Sequence, residues 1–197
     1  MPTSLPFVDA PPPERRDAAR NREALLEAAV ELVRSQGVRA VTMEAVAARA
    51  GVGKGTVFRR FGSREGLMAA VLDRSETEWQ AAIIGGRPPL GPGAPPLERL
   101  LAFGKSRLLL NITHAELIDA AGNPVPPSLE ALSFNTMHVR YLLSELGVTG
   151  DLPYLASALV APLDMVVLGR RGARADVPVD RLDAGWADLV HRVTGTT

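Results

Sequence analysis

The sequence contains no cysteine. This excludes disulfide bonds and metal sites built from thiolates, and it is compatible with a reducing compartment. Net charge is also lacking, because 22 Lys and Arg residues balance 22 Asp and Glu residues. A chain without net charge does not attract nucleic acid over its whole surface, so any such binding has to come from local clustering of cations.

A long uninterrupted apolar run is absent as well. The longest apolar stretch, residues 152–169, contains Pro153, Pro162 and Asp164, and it is too short and too interrupted to span a bilayer. Residues 1–13 lack the basic start and apolar run of a secretory signal. We therefore expect a cytoplasmic protein with no membrane partner.

Patterns typical of catalysis or cofactor binding do not occur. The segment 53–56 is weakly similar to a phosphate-binding loop, but that loop needs glycine at position 48 and a hydroxyl residue at position 55, where Ala48 and Gly55 stand. His114, with Glu116 and Asp119, could form a metal site on one helical face, although a lone helical histidine is more often a surface or pocket residue. We expect no enzyme, no cofactor and no bound metal.

The cations are concentrated in one part of the chain. From Arg34 to Arg64 there are seven cations and one acid, Glu44, whereas from Val71 onward eleven cations face fourteen acids. A basic head on a mildly acidic body favours phosphate binding by the head alone. The alternative is that these cations simply form a solvated helical face. We favour phosphate binding, because the cations coincide with the motif described next.

Residues 41–67 predict a helix-turn-helix. Thr42 is a suitable N-cap for a short helix with Glu44 in its first turn, and the glycines of 51–53 permit a tight turn. A second short helix follows, held to the first by small apolar side chains. In such a motif the second helix enters the major groove of DNA.

Chemistry assigns roles to the candidate DNA contacts. Arg59 suits base reading, because a guanidinium can bind guanine through two hydrogen bonds, and four other polar residues suit phosphates. The Thr56 hydroxyl either touches a base or satisfies its own helical turn, and Arg60 either binds phosphate or pairs with Glu65 or another acid. The full candidate set is Thr42, Lys54, Gly55, Thr56, Phe58, Arg59, Arg60 and Arg64.

Hydrophobic periodicity predicts an all-α chain of about nine helices. Residues 1–16 are predicted to form a disordered, proline-rich arm, residues 17–62 the domain with the helix-turn-helix, and residues 63–197 a second helical domain. Asp17 or Asn21 is predicted to cap the first helix, and Ser63 the fourth. After a breaker-rich loop at 85–96, helical patterns resume at about 97–110, 113–122, 128–147, 152–171 and 180–194.

The order of residues from Thr42 through Gly51-Val52-Gly53-Lys54-Gly55-Thr56-Val57-Phe58 to Ser63-Arg64-Glu65 resembles the DNA-binding domain of the TetR (tetracycline repressor) family. The resemblance covers about residues 20–70. Phe58 stands where the family often has tyrosine, so a hydroxyl contact to phosphate is missing. Gly53 stands where serine or threonine is common, so a side-chain cap is missing too.

The resemblance implies a homodimeric transcriptional regulator, usually a repressor, that binds a near-palindromic operator. In the family, a small molecule bound in the C-terminal domain releases the DNA, and the last two helices form the dimer. Residues 63–197 would then be the ligand-binding and dimerisation domain. For the dimer helices the resemblance points to the apolar stripes Ala156, Leu159, Val160, Leu163, Val166 and Val167, then Trp186, Leu189, Val190 and Val193.

The effector site is predicted from apolar and aromatic residues with a few polar groups among them. Taken singly, each of these residues is more easily explained as core. The candidates are Phe103, Leu110, Phe134, Met137, His138, Tyr141 and Met165. Two other functions stay open: a helical adaptor that binds DNA only for localisation, and a small helical enzyme.

Overall fold

The computed structural model describes residues 13–121, 129–169 and 177–196. Within these ranges the chain forms eight α-helices and no strand, which confirms the predicted all-α fold class. A 3₁₀ turn, Val38–Ala40, connects the first two helices. Across the described part, no helix is long and apolar enough to cross a membrane. The helices are α1 (Pro13–Gln36), α2 (Met43–Arg49), α3 (Lys54–Phe61), α4 (Arg64–Gly85), α5 (Pro96–Ala121), α6 (Leu129–Glu145), α7 (Leu152–Gly169) and α8 (Val179–Thr194).

Two compact units divide the chain, Met1–Leu67 and Met68–Thr197. In the N-terminal unit α2 packs on α1, and α3 packs on α2. Because α2 has 7 residues and α3 has 8, neither is stable in isolation, and packing on a shared core holds them in place. The buried side chains of that core include Leu25, Leu26, Ala29, Leu32, Val38, Val41, Val46, Val57 and Leu67.

The first helix begins upstream of its predicted start. Helix α1 starts at Pro13 rather than next to Asp17 or Asn21, so it includes residues 13–16 of the predicted disordered arm. Proline suits the first position of a helix, because the N–H that it lacks would have no partner there. Residues 1–12, the remainder of that arm, lie outside the described residues.

The predicted break between residues 110 and 113 is wrong, because α5 continues without interruption. The Asn111 side chain points inward and donates a hydrogen bond to the Leu163 carbonyl at 2.8 Å. The Thr113 hydroxyl donates to the Leu109 carbonyl at 3.3 Å. Neither polar side chain ends the helix, because Asn111 bonds to a different helix and an i−4 bond such as that of Thr113 is tolerated within a helix. This merger reduces the predicted nine helices to the eight of the described ranges.

In the C-terminal unit, α5 packs against α6, α7 and α8. A close approach joins α5 to α8 at Gly104, where the buried Trp186 ring lies against the helix backbone. A Cβ atom at Gly104 would lie 1.9 Å from Cε2 of Trp186. The buried core of this unit includes Trp79, Ile83, Leu100, Phe103, Leu108, Val139, Leu142, Leu143, Ala156, Leu159, Val160, Leu163, Trp186 and Val190.

The stripes assigned to the dimer face the interior of the protomer. Ala156 and Leu163 of α7 are at most 2% exposed, and Trp186 and Val190 of α8 are at most 4% exposed. An apolar stripe at helical spacing indicates that a helix packs, but it does not indicate on what. A dimer formed by these two helices therefore has to use their other faces. The side chains of Val166 and Val167 lie outside the described residues.

Candidate nucleic-acid interface

Two side chains fix the segment that leads into α2. The Thr42 hydroxyl accepts a hydrogen bond from the Ala45 N–H at 3.1 Å, which confirms the predicted cap. Arg64, at the start of α4, donates from Nε to the Val41 carbonyl at 3.0 Å and from Nη2 to the Val38 carbonyl at 3.5 Å. The sequence did not predict these hydrogen bonds from Arg64 to the backbone. The contact of Arg64 with a DNA phosphate stays a prediction.

The turn between α2 and α3 leaves the start of α3 open. Gly51 has a φ of 67°, a left-handed conformation that favours glycine. Gly53 precedes α3 in an extended conformation and provides no side-chain cap. The first N–H groups of α3 are therefore not satisfied by a capping side chain, and free amides at a helix N-terminus can bind a phosphate.

Helix α3 buries one side and exposes the predicted DNA contacts on the other. Val57 is fully buried against the core. The Thr56 hydroxyl accepts a hydrogen bond from Nη2 of Arg59 at 3.3 Å, so it orients the candidate base-reading guanidinium. The structure thus brings the predicted residues of α3 to a solvent-accessible surface: Lys54, Gly55, Phe58, Arg59 and Arg60 are exposed, and Thr56 is half-buried.

Lys54 is paired with an acid across the turn. Its Nζ forms an ion pair with the Glu44 carboxylate of α2 and lies 5.3 Å from the centre of the Phe58 ring. The hydrogen bond from Lys54 is the largest of the contributions that lower the pKa of Glu44. The lysine predicted to bind phosphate therefore has an internal anion as its partner when DNA is absent.

The predicted effector residues are only partly brought together. The Phe103 and His138 rings lie 5.5 Å apart, the Phe134 and His138 rings 6.3 Å, and the His138 and Tyr141 rings 6.4 Å. Phe103 is fully buried within the core, whereas Met137 is 56% exposed.

Leu110 packs at the edge of that core. The Met165 side chain lies outside the described residues, as does that of Asp119, the third member of the possible metal site. Of the predicted effector residues, the rings of Phe103, Phe134 and Tyr141 therefore surround His138. Leu110 and Met137 are not shown to join this group.

A buried polar cluster joins α4, α5 and α7, and sequence reasoning did not find it. The Arg107 side chain is 3% exposed, and its Nη1 lies 2.6 Å from Oε2 of Glu76. Asn111 is fully buried, and His114, 8% exposed, lies 2.7 Å from the Ser75 hydroxyl. The available signal is the spacing: Arg107, Asn111 and His114 continue the buried stripe of Phe103 at helical intervals.

His114 predicts a loss of stability in mild acid. Burial, with Arg107 nearby, lowers its pKa from 6.5 to about 4, although Glu76 acts in the opposite direction. Between these pH values the His114 imidazole therefore binds a proton in the unfolded chain but not in the folded chain. The stabilisation is complete above pH 6.5 and is lost as the pH falls toward 4.

We expect the C-terminal unit to lose about 1–2 kcal/mol from this residue between pH 7 and pH 5. Urea unfolding followed by tryptophan fluorescence reports on this unit, because both tryptophans, Trp79 and Trp186, lie in it. The His114→Gln variant is the control and should lose less stability over the same interval. Equal losses in the two proteins would contradict the assignment.

The profile of the bacterial regulatory proteins of the tetR family matches residues 25–71, which include α2, the turn and α3. The HTH-type transcriptional repressor Rv3405c of Mycobacterium tuberculosis is 39% identical over 72 residues, which is 34% of this chain. The match spans 38% of the length of that relative. The similarity in sequence is therefore confined to a part of each protein.

Solved structures resemble more of the chain. A transcriptional regulator from Rhodococcus sp. Rha1 is 19% identical, with a TM-score of 0.57 over 88% of this chain and 95% of that one. The multidrug binding protein EbrR, complexed with imidazole, is 24% identical, with a TM-score of 0.55 over 96% of this chain and 97% of its own. At these identities the likeness shows the fold alone.

Proposed function

We propose that this chain, whose residues 25–71 match the profile of the tetR family of bacterial regulatory proteins, is a ligand-responsive DNA-binding transcriptional regulator of that family. It acts as a repressor that binds a near-palindromic operator as a homodimer and releases it when a small molecule binds the C-terminal unit. The observation that carries this proposal is α3, an exposed helix with three cations and an uncapped N-terminus.

The electrostatics of α3 support binding to duplex DNA. Lys54, Arg59 and Arg60 are exposed on eight residues of helix, and the first turn of that helix contains no acid. The amides at its start and the cations along it can contact phosphates, while Arg59, held by Thr56, reads a base edge. Thr42 and Arg64 flank this surface and are proposed as further phosphate contacts.

The homodimer and the effector belong to the same proposal. Rv3405c is a repressor by name, and EbrR is a multidrug binding protein by name. A dimer would place two α3 helices one turn of B-DNA apart, about 34–36 Å. We assign the contact between protomers to the exposed faces of α7 and α8, where Tyr154 is 73% exposed and Ala158 and Ala184 are small.

Selection from a random-sequence duplex library with the full chain tests this function. We expect inverted repeats whose half-sites have centres about 10–10.5 bp apart. Affinity for the selected duplex should fall steeply with salt concentration, because several phosphate contacts release counterions. Binding with no sequence enrichment would favour the adaptor over the regulator.

The Glu44–Lys54 ion pair predicts a variant that binds DNA more tightly. Glu44→Gln removes the internal partner of Lys54 and a negative charge beside the DNA surface. We expect affinity for all duplexes to rise about threefold to tenfold, with an unchanged ranking of sequences. Titration of the selected and of a scrambled duplex measures both effects.

Glu31→Gln is the matched control. Glu31 pairs with Arg49 at 2.7 Å in the same unit, and Arg49 is not a predicted DNA contact, so affinity should change little. Weaker DNA binding by Glu44→Gln would contradict the prediction and would mean that Glu44 positions Lys54 for phosphate.

A further inference from the structure

The polar cluster of the C-terminal unit contains more negative than positive groups. Glu76 of α4 and Asp164 of α7 flank Arg107 of α5, whose Nη1 binds Glu76 at 2.6 Å. His114 beside them is held neutral, because burial and the adjacent guanidinium lower its pKa to about 4. Two carboxylates therefore face one guanidinium, and the cluster carries one uncompensated negative charge when both acids are ionised.

The partners of the two acids are unequal. Glu76 is hydrogen-bonded to Arg107, whereas Oδ1 of Asp164 is buried with no hydrogen-bond partner among the described residues. Nε of Arg107 lies 4.0 Å from this oxygen, beyond hydrogen-bond distance. Burial raises the pKa of Asp164, although Arg107 and a hydrogen bond from the Asn111 side chain act in the opposite direction.

Asn111 adds a second open acceptor beside Asp164. Its Nδ2 donates to the Leu163 carbonyl at 2.8 Å, which fixes the orientation of the amide. Its Oδ1 is then left buried without a partner in the described part of the chain, on a side chain that is 0% exposed. Buried acceptors of this kind are costly unless another group donates to them.

Aromatic rings of the hydrophobic core lie beside the cluster. The Arg107 guanidinium lies 4.8 Å from the centre of the Trp79 ring, and that ring packs at 5.3 Å from Phe103 and 6.4 Å from Phe134. Flat apolar ligands pack well on such rings. A net negative site next to aromatic rings suits a ligand with an apolar ring and a cationic head.

We propose that the Asp164–Asn111 corner of this cluster binds the cationic, N–H-donating group of the effector, such as an amidinium or a protonated amine. This inference rests on the proposed ligand-responsive function. The ligand N–H groups donate to Oδ1 of Asp164 and Oδ1 of Asn111, and the positive charge balances the second carboxylate. An anionic ligand would add a second uncompensated negative charge to a buried site, so Arg107 alone does not make this an anion site.

Three probes of one shape test the proposal: benzamidinium, benzamide and benzoate. We expect calorimetric titration of the full chain at pH 8 to give benzamidinium at least about tenfold tighter binding than benzamide, because its hydrogen bonds are charge-assisted. Benzoate should bind most weakly. Equal binding of the three probes, or preference for benzoate, would overturn the proposal without any variant.

Asp164→Asn keeps the shape and removes the charge, and it should reduce the preference for benzamidinium over benzamide to about twofold or less. Asp73→Asn changes an exposed acid on α4 in the same way and should keep the preference. Tryptophan fluorescence during urea unfolding checks that both variants fold. A preference that survives in Asp164→Asn refutes the assignment of the corner.

The DNA assays keep the two ideas apart. A chain that prefers benzamidinium but selects no DNA sequence would retain this site and lose the proposed regulatory function. A chain that selects an inverted repeat but binds the three probes equally would retain the proposed regulatory function and lose this site.

Discussion

Gly104→Ala is expected to destabilise the C-terminal unit by roughly 3 kcal/mol. The added carbon would lie 1.9 Å from Cε2 and 2.1 Å from Nε1 of Trp186. These are distances at which the ring has to leave its position. Trp186 is 4% exposed, so its departure opens the core between α5 and α8.

Helix propensity alone would predict the opposite sign. Alanine is favoured over glycine inside a helix by about 1 kcal/mol, so a glycine in the interior of α5 needs a reason. The reason is the close packing of Trp186 on its Cα. The matched control is Gly85→Ala at the end of α4, where an added Cβ meets nothing within 4 Å.

Urea unfolding followed by tryptophan fluorescence measures the effect. The midpoint should fall sharply for Gly104→Ala, and the fluorescence maximum of the folded state should shift to longer wavelength if Trp186 becomes solvated. The midpoint of Gly85→Ala should stay close to that of the original protein. A Gly104→Ala protein as stable as the original would show that Trp186 has another accessible packing position.

Arg59→Ala is expected to abolish discrimination at one base pair of each half-site. A guanidinium that binds guanine through two hydrogen bonds discriminates against other bases by about 1–3 kcal/mol. A dimer that contacts two half-sites loses this free energy twice. Affinity for the operator should therefore fall by about 30-fold to 10⁴-fold, while affinity for scrambled DNA falls much less. Titration of an operator mutation series with both proteins measures the loss.

The neighbouring Arg60 is the matched control. Its predicted contact is a phosphate, so Arg60→Ala should weaken binding to all duplexes similarly and lower the slope of affinity against salt by about one contact per half-site. Unchanged discrimination by Arg59→Ala across the operator series would refute its role as the base reader. A sequence-selective loss in Arg60→Ala would point to an exchange of the two roles.

The features that sequence predicted well are local. Thr42 caps α2 through Ala45, and Ser63 accepts a hydrogen bond from Gly66 at 3.2 Å, each across three residues. Capping depends on residue types at fixed short spacing, so it can be recognised in a linear pattern. The same holds for the glycines of the turn and for the exposed cations of α3.

The features that sequence missed depend on residues far apart in the chain. Arg64 reaches Val41 across 23 residues, Arg107 reaches Glu76 across 31, and Asn111 reaches Leu163 across 52. Polar side chains on a buried stripe of α5 indicate an interior partner, but periodicity cannot identify that partner. The apolar stripes of α7 and α8 were misassigned for the same reason, because a protomer core and a dimer interface produce one pattern.

Arg64 also limits how α4 can move. Its guanidinium is bonded to the carbonyls of Val38 and Val41, and Thr42, the cap of α2, is the next residue along the chain. A helix transmits displacement along its length with little bending, whereas a loop absorbs it. Rotation of the first turn of α4 about its own axis would therefore strain the hydrogen bonds from Arg64 to the segment that enters α2.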